Sequence, residues 1–270
     1  IMIPLATTEL GVDSWVTDLL APILGDNAGW VVVYTAVIMT VLRFYAGPIV
    51  HRISPLGLLA LSSAIALVGL YVLSTAAGFM IFIAATLYAV GKTFFWPTML
   101  GIAGERFPRG GALTLNGITG VGMLAAGVFG AAFLGNIQDK QIDSELKSQN
   151  PSIHSRIMGE EKSSVWGNYK PIDQNKLESL SSTQKSTVES VQASAKQGAL
   201  STVAVFPAVM LLAYIAMMMY FRSIGGYKPI LLEDESDDFS GSSGKIEPTV
   251  EDQNLKNDDN SKSEMANEEE

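Results

Sequence analysis

The sequence predicts an all-α integral membrane protein with six transmembrane helices, a polar insert and a disordered tail. Charge is divided sharply along the 270 residues: residues 1–135 and 199–222 contain eleven charged side chains, and the remaining segments contain thirty-four. Apolar runs of about 20 residues, the length that crosses a bilayer as a helix, recur in the charge-poor segments. Short connections rich in Gly, Pro, Asp and Asn separate these runs. A soluble core does not divide its charge in this way.

The predicted domain organisation follows from the positions of these runs. Five predicted helices lie in residues 1–135 and the last in residues 199–222, with a polar insert at 136–198 and an acidic tail at 223–270. The chain opens inside the first apolar run without a basic leader, so we expect an upstream part of the protein to precede it. The six predicted spans are residues 1–24, 28–50, 56–74, 78–103, 112–134 and 199–221.

The insert and the tail differ in charge and pattern. The tail has fourteen Asp and Glu residues against four Lys, with few apolar residues, and is predicted to be disordered. The insert has eight acidic and eight basic residues, and residues 176–196 have a modest amphipathic helical pattern. Two interpretations of the insert remain open, a small external cap or a solvated and partly disordered loop, and its polarity favours the loop.

Positive charge on the short loops predicts the orientation in the membrane. Basic residues cluster at loop 51–52, at Arg106 and Arg109, and after the last span at Arg222 and Lys228. The short loops on the opposite face have no Lys or Arg. Because Lys and Arg are enriched in cytoplasmic loops, both ends of the chain are predicted to be cytoplasmic and the insert external.

The composition excludes several classes of function. The chain has no cysteine, so disulfides, thiolate metal sites and cysteine nucleophiles are excluded. His51 and His154 lie in different kinds of segment, which disfavours a metal site. Nucleic-acid binding is not expected, because there is no basic stripe and the tail is acidic. No cofactor is predicted.

Lys92 is the single charged residue in the predicted span 78–103. An ammonium near the middle of a membrane helix costs on the order of 3 kcal/mol on insertion scales, so such a residue normally faces a partner, a substrate or water. Tyr88, Lys92, Trp96 and Met99 recur at helical spacing and share one face. This pattern suits the lining of a solute pathway, since aromatic rings stack on sugar rings and the ammonium donates hydrogen bonds. The alternative is that Lys92 is a structural counter-ion for Glu9 and that Trp96 is ordinary packing.

Glu9 and Asp13 are four residues apart in the first predicted span and share one helix face. Two carboxylates on one face are not expected to point at lipid. They are candidates to bind protons, to bind solute hydroxyls or to pair with Lys92. The alternative is that they are waterline residues at a truncated helix end.

Four further features of the spans bear on helix packing and on a solute pathway. Pro97 removes a backbone donor and predicts a kink near Trp96. Arg43 lies about two turns inside the second span, where snorkelling to the interface competes with a gating contact. Asn116 opens the glycine-rich fifth span and could reach a cavity. The small residues Gly122, Ala126 and Gly130 recur every four positions, which favours close helix packing.

The junction between the second and third spans resembles a signature of the major facilitator superfamily. Members carry a G-x-x-x-D-R-x-G-R loop between the second and third helices of each six-helix half. Gly47 and Arg52 match this loop, whereas His51 stands in place of the Asp and Ser54 in place of the second Gly. The form is similar to that of the C-terminal half. The change at His51 weakens the expectation of the family's usual loop salt bridge.

Two other segments carry the resemblance further. Residues 105–112 are similar to the junction of the tenth and eleventh helices in sugar-type members. Residues 8–15 resemble the seventh helix of the fucose-permease-like group. The resemblance covers residues 1–135 and 199–222, and implies the C-terminal six-helix half of a twelve-helix secondary transporter in a bacterial inner membrane. It also implies a missing N-terminal half, a small polar solute such as a sugar, and symport with protons.

Three functional hypotheses follow. The first is uptake of a sugar-like solute by alternating access, with Glu9 as the first candidate for the proton site. The second is a non-transporting membrane sensor or scaffold that presents the insert and the tail, which a real core in the insert would favour. An enzyme is the weakest, because the spans contain no His/Asp metal set, no Gly-x-Ser-x-Gly and no phosphate loop.

Overall fold

The computed structural model describes residues 1–50 and 52–230, and almost all of its regular structure is helical. The only paired strands in this part of the chain form one antiparallel hairpin. In chain order the elements are α1 (Met2–Ala6), a π-helical segment (Thr7–Gly11), α2 (Val12–Leu24), a 3₁₀ turn (Gly25–Ala28), α3 (Gly29–Phe44), α4 (Ala46–Val50), α5 (Pro55–Leu73), α6 (Met80–Lys92), α7 (Phe95–Arg106), a 3₁₀ turn (Pro108–Gly110), α8 (Gly111–Ala125), a second π-helical segment (Ala126–Phe133), α9 (Leu134–Gln149), α10 (Pro151–Ile157), β1 (Lys162–Ser164), β2 (Gly167–Tyr169), α11 (Gln174–Glu178), α12 (Ser182–Val203) and α13 (Val205–Ser223).

Five helical stretches of the described chain are long and apolar enough to cross a membrane: Gly25–Phe44, Pro55–Leu73, Met80–Arg106, Pro108–Val128 and Ser182–Ser223. They correspond to the second to sixth predicted spans. The first predicted span carries three carboxylates in its sequence, which lowers its mean hydropathy, but it still forms continuous helix over residues 2–24. The all-α membrane fold is confirmed.

Glycines set the crossing of α5 and α6. A Cβ at Gly69 would lie 2.5 Å from the backbone nitrogen of Tyr88, and one at Gly91 would overlap the backbone of Ala66. The two helices therefore touch backbone to backbone, as small residues allow in membranes. This crossing buries the face of α6 that carries Tyr88 and Lys92.

The two π-helical segments meet at a second close crossing. A Cβ on Gly11 would lie 3.2 Å from the Cα of Gly130. About two turns earlier, on α8, a Cβ on Gly122 would lie 2.9 Å from the ring of Trp96. The predicted small-residue stripe thus packs closely against neighbouring helices, and the crossing holds the segment that contains Glu9.

The fourth predicted span is broken rather than continuous. Helix α6 ends at Lys92 and α7 begins at Phe95, so the break lies at Thr93 and Phe94. The predicted kink exists, but it lies one turn before Pro97. This position follows from the chemistry, because proline lacks the N–H that would bond the carbonyl four residues earlier.

The insert forms a folded cap, and the interpretation as a solvated loop was wrong. Helix α9 continues α8 without interruption, and α12 runs directly towards α13, so the cap stands on two helical extensions of the spans. A capping box of Ser181 and Gln184 begins α12. The cap has its own core, formed by Ile142, Leu146, Ile153, Ile157, Leu180, Val188, Val191 and Ala195.

The start of the predicted disordered tail contacts the helices. Tyr227 donates a hydrogen bond to the Glu105 carboxylate at 2.6 Å, and the backbone nitrogen of Ile230 donates to the Glu105 carbonyl at 2.9 Å. Burial and the nearby Glu105 carboxylate raise the pKa of the Tyr227 phenol. Residues 224–230 are therefore attached to the end of α7. The predicted disorder of residues 231–270 lies outside the described part.

Candidate functional site

Two ion pairs lie among the spans. The Lys92 ammonium pairs with the Asp13 carboxylate. The Arg43 Nη2 atom lies 3.4 Å from Glu9 Oε1. Of the two carboxylates predicted as partners of Lys92, the structure pairs it with Asp13 and not with Glu9, because α3 brings a second cation, Arg43, to Glu9. The resulting arrangement has two cations and two anions, so it is neutral when all four groups are ionised.

The two pairs have opposite orientations with respect to solvent. The side chains of Lys92 and Asp13 are 0% and 29% exposed, whereas those of Glu9 and Arg43 are 5% and 42% exposed. In the Lys92–Asp13 pair the cation is buried and the anion is partly exposed. In the Glu9–Arg43 pair the anion is buried and the cation is partly exposed. Asp13 and Arg43 are thus the partly exposed members of the two pairs, while Lys92 and Glu9 are buried. Lys92 is buried, and its role in lining a solute pathway stays a prediction.

Tyr88 supports Lys92 from within the protein. Its hydroxyl donates to the Thr8 carbonyl at 2.6 Å, and the Lys92 Nζ lies 4.8 Å from its ring centroid. Such a contact between a cation and a ring is favourable by about 2 kcal/mol when desolvated. Tyr88 is buried, so its ring stabilises the ammonium and is not displayed to a solute.

Arg43 points into the protein, so the interpretation as a snorkelling residue was wrong. Besides its contact with Glu9, its Nε atom donates to the Thr93 carbonyl at 3.1 Å. It also lines a cavity of 360 Å³ together with Phe94, Pro97 and other residues of α5 and α7. Arg43 therefore joins the first helix, the break between α6 and α7, and an open cavity.

Trp96 and Asn116 are placed differently from the ion pairs. Trp96 is half-buried against Gly122, and its indole Nε1 is enclosed without a hydrogen-bond partner among the described residues. Asn116 is exposed on α8 and makes no contact with the ion-paired groups. The structure thus joins four of the six predicted pathway residues in one cluster, Glu9, Asp13, Tyr88 and Lys92.

The predicted loop motif lies away from this cluster. Gly47 is exposed on α4, and a Cβ there would meet nothing within 4 Å. Arg52 is exposed between α4 and α5 and forms no ion pair with the residues that the structure describes. His51 lies outside those residues.

Sequence reasoning missed one cluster near the predicted cytoplasmic surface. Arg106 Nη1 donates to the Lys228 carbonyl at 2.9 Å, and its guanidinium lies 4.7 Å from the ring centroid of Phe221. With the Tyr227–Glu105 bond, these contacts tie the end of α13 to the end of α7. The aromatic residues just after the last span were the available signal. Among the described residues, no group of three or more His, Asp or Glu could hold a metal ion.

Comparison with known proteins bears on this fold. No family model matches the chain, and no curated protein matches it. A solved structure is similar: a bacterial homologue of the human lysosomal transporter Spinster, in an inward-facing and occupied conformation. The TM-score is 0.63 at 12% identity, over 85% of this chain and 49% of that one. The chain therefore spans about half the length of this neighbour.

The likeness shows the fold of this chain. The chain shares its fold with about half of that neighbour, and the resemblance to the major facilitator superfamily stays a prediction. The chain is a multi-pass, all-helical membrane protein. The sugar-type and fucose-permease-like assignment stays a prediction.

Proposed function

We propose that this chain is the C-terminal half of a secondary transporter that moves a small polar solute, such as a sugar, by alternating access with proton symport. The observation that carries the proposal is the pair of oppositely oriented ion pairs among the spans. Charged groups inside a membrane are costly and are kept at substrate sites and proton relays. In secondary transporters such sites lie near the bilayer midplane, between two halves that move against each other.

The geometry suggests separate roles for the accessible and the hidden groups. Asp13 offers carboxylate oxygens that accept hydrogen bonds, and Arg43 offers several N–H donors, so together they suit solute hydroxyl groups. Lys92 and Glu9 lie behind them and balance their charge. Trp96 supplies an aromatic surface nearby, on which the apolar face of a sugar ring would stack.

Glu9 is the proposed proton site. Its Oε1 contacts Arg43, whereas its Oε2 is buried without a partner among the described residues. A proton on Oε2 would remove the anion that holds Arg43 and leave the guanidinium charge free to bind the solute or the missing half. The π-helical segment around Glu9 fits this role, because such segments are frequent at functional sites.

The proposed setting is a bacterial inner membrane, with both ends of the chain cytoplasmic and the cap outside. The missing N-terminal six-helix half is the proposed partner across the solute cavity. Transport rather than catalysis is proposed.

The test is uptake by the full-length protein in proteoliposomes, with and without an imposed pH gradient. Glu9→Gln is expected to abolish the stimulation by the gradient, and Lys92→Ala to lower uptake with or without it. Asp26→Asn is a matched control, since Asp26 is an exposed carboxylate in the turn Gly25–Ala28. Normal coupled uptake in both site variants would overturn the assignment. Competition by a panel of neutral, acidic and basic solutes tests the sugar class.

The cap supports a second candidate, a non-transporting membrane sensor or scaffold. Its core of buried apolar side chains is what this alternative requires. The discriminating observation is uptake itself. The sensor would be favoured if the full-length protein transports no member of the solute panel but binds a solute at the cap.

A further inference from the structure

The carbonyl of Thr93 lacks its helical partner for a reason visible in the sequence. In a continuous helix the N–H of residue 97 would donate to it, but residue 97 is proline and has none. Helical bonding resumes one residue later, where the Thr98 nitrogen donates to the Phe94 carbonyl at 3.2 Å. An unpaired backbone carbonyl inside a membrane costs several kcal/mol, so another donor is required.

Arg43 supplies that donor from a different helix. Its Nε bonds the Thr93 carbonyl at 3.1 Å, and its Nη2 contacts Glu9 at 3.4 Å. The guanidinium is a rigid, planar fork, so one side chain can hold both acceptors at once. A lysine in this place has one nitrogen and lacks the fork. The bend between α6 and α7 is therefore bonded to the same group that neutralises Glu9.

The electrostatic surroundings of Glu9 leave Arg43 as its direct partner. Lys92 and Asp13 also act on its charge. From α6, the Tyr88 hydroxyl lies 3.5 Å from the Glu9 carbonyl oxygen. Helix α8 with its π-helical segment carries no acid or base, and on α13 the buried titratable group is Tyr214, whereas Tyr220 and Arg222 are exposed.

We infer that Arg43 is a positioning residue that links the protonation of Glu9 to the bend between α6 and α7. When Glu9 is ionised, it holds the guanidinium against the Thr93 carbonyl and the bend is fixed. When a proton binds Oε2, the guanidinium keeps its charge but loses its counter-ion. It then moves into the adjoining 360 Å³ cavity and releases the bend. The inference rests on the proposed function, because Glu9 is the proton site there.

The bend can be measured directly in the full-length protein. Spin labels at Phe79→Cys and Phe107→Cys, both exposed and at the outer ends of α6 and α7, report its angle as a distance distribution. This chain has no cysteine, and any elsewhere in the protein would be replaced. Distances are recorded at acidic and alkaline pH without a solute, and uptake is measured on the same preparations.

We expect the wild-type distance distribution to shift and broaden when the pH is lowered. Glu9→Gln should show the acidic distribution at both pH values, and Arg43→Gln should lose the pH response. Uptake by Arg43→Gln should fall about tenfold or more, as expected for the loss of a charge-assisted hydrogen bond. If Arg43→Gln does not fold, Arg43→Lys answers the same question, because it keeps the charge and loses the fork.

Pro97→Ala provides the decisive comparison. Alanine restores the N–H that the Thr93 carbonyl lacks, so the distance should become insensitive to pH and adding Arg43→Gln should not change it further. Two matched controls should keep the wild-type response: Arg222→Gln, an exposed arginine at the end of α13, and Pro207→Ala, a proline in another helix.

The outcomes separate this inference from the proposed function. A pH response that persists in Arg43→Gln, or additive effects of Arg43→Gln and Pro97→Ala, overturns the link even if coupled uptake is normal. A distance response as expected but no uptake of any solute upholds the link and overturns transport.

Discussion

The membrane bundle and the cap place their charged side chains in opposite ways. In the bundle, Lys92 and Glu9 are buried and each contacts an oppositely charged partner on another helix. In the cap, none of the sixteen charged residues of 136–198 is buried, and the core cluster consists of apolar side chains. Water solvates charges at the cap surface, whereas in the bundle only another protein group can do so. The few charges of the bundle are therefore the candidates for a function, and those of the cap do not contribute to its core.

The largest expected effect is the loss of one member of a buried ion pair in the bundle. Lys92→Ala leaves Asp13 without its cation and should lower the free energy of unfolding by about 3 kcal/mol or more. The double variant Lys92→Gln with Asp13→Asn should recover much of this loss, because no unpaired charge remains. Denaturant unfolding in detergent measures both. If the loss of stability in the double variant equals the sum of the losses in Lys92→Gln and Asp13→Asn alone, the two side chains are not coupled.

The second prediction tests the backbone contact that buries Lys92. Gly91→Ala should destabilise the bundle by about 1–3 kcal/mol, because the added Cβ overlaps the backbone of Ala66. The matched control is Gly117→Ala, where a Cβ meets nothing within 4 Å. Since alanine is the better helix former, that control should be neutral or stabilising by up to about 1 kcal/mol. Thermal unfolding in detergent compares the two variants, and equal shifts of Tm would contradict the close crossing of α5 and α6.

The third prediction applies to the core of the cap. Leu146 is fully buried there, so Leu146→Ala should cost about 2–3 kcal/mol of local stability. Hydrogen exchange should accelerate in α9, α10 and α12 while α5 and α6 stay protected. Val165→Ala is the control, because that side chain is 91% exposed. Unchanged exchange in Leu146→Ala would indicate that the cap lacks a cooperative core.

The smallest effect concerns a single half-buried carboxyl of the cap. Burial raises the pKa of Asp139, an effect that Lys162 partly offsets. The folded state then binds a proton more readily than the unfolded state, so stability falls as the pH rises between the two pKa values. Asp139→Asn removes this dependence and should slow exchange of the cap relative to wild type at neutral pH, but not at acidic pH. A parallel pH dependence in both proteins would contradict it.

Much of the site could be predicted because intramembrane charge is rare. Glu9, Asp13 and Lys92 stand out in apolar runs, and the cost of a charge in lipid requires each to have a partner or a function. Their pairing could not be predicted. Helical spacing places Glu9 and Asp13 on one face, but which cation reaches which carboxylate depends on how α3 and α6 pack beside it.

The folded core of the cap, in contrast, could not be predicted from the sequence. Its helical pattern at residues 176–196 was visible, yet the polar composition favoured a loop. Its core combines side chains from α9, α10 and α12 that are up to about fifty positions apart, such as Ile142 and Val191. No local window contains enough of them to predict a folded unit.

The sequence alone determined the class of the protein and the depth of its rare charges. Apolar length and charge-poor composition dictate helices that cross a membrane, and Pro97 dictates a break, because these are local consequences of solvation and of backbone donors. The tertiary structure decided the two opposed ion pairs, the bond from Arg43 to the Thr93 carbonyl and the core of the cap. Each of these joins groups from different helices, and such contacts depend on packing at glycines whose partners the chain order does not specify.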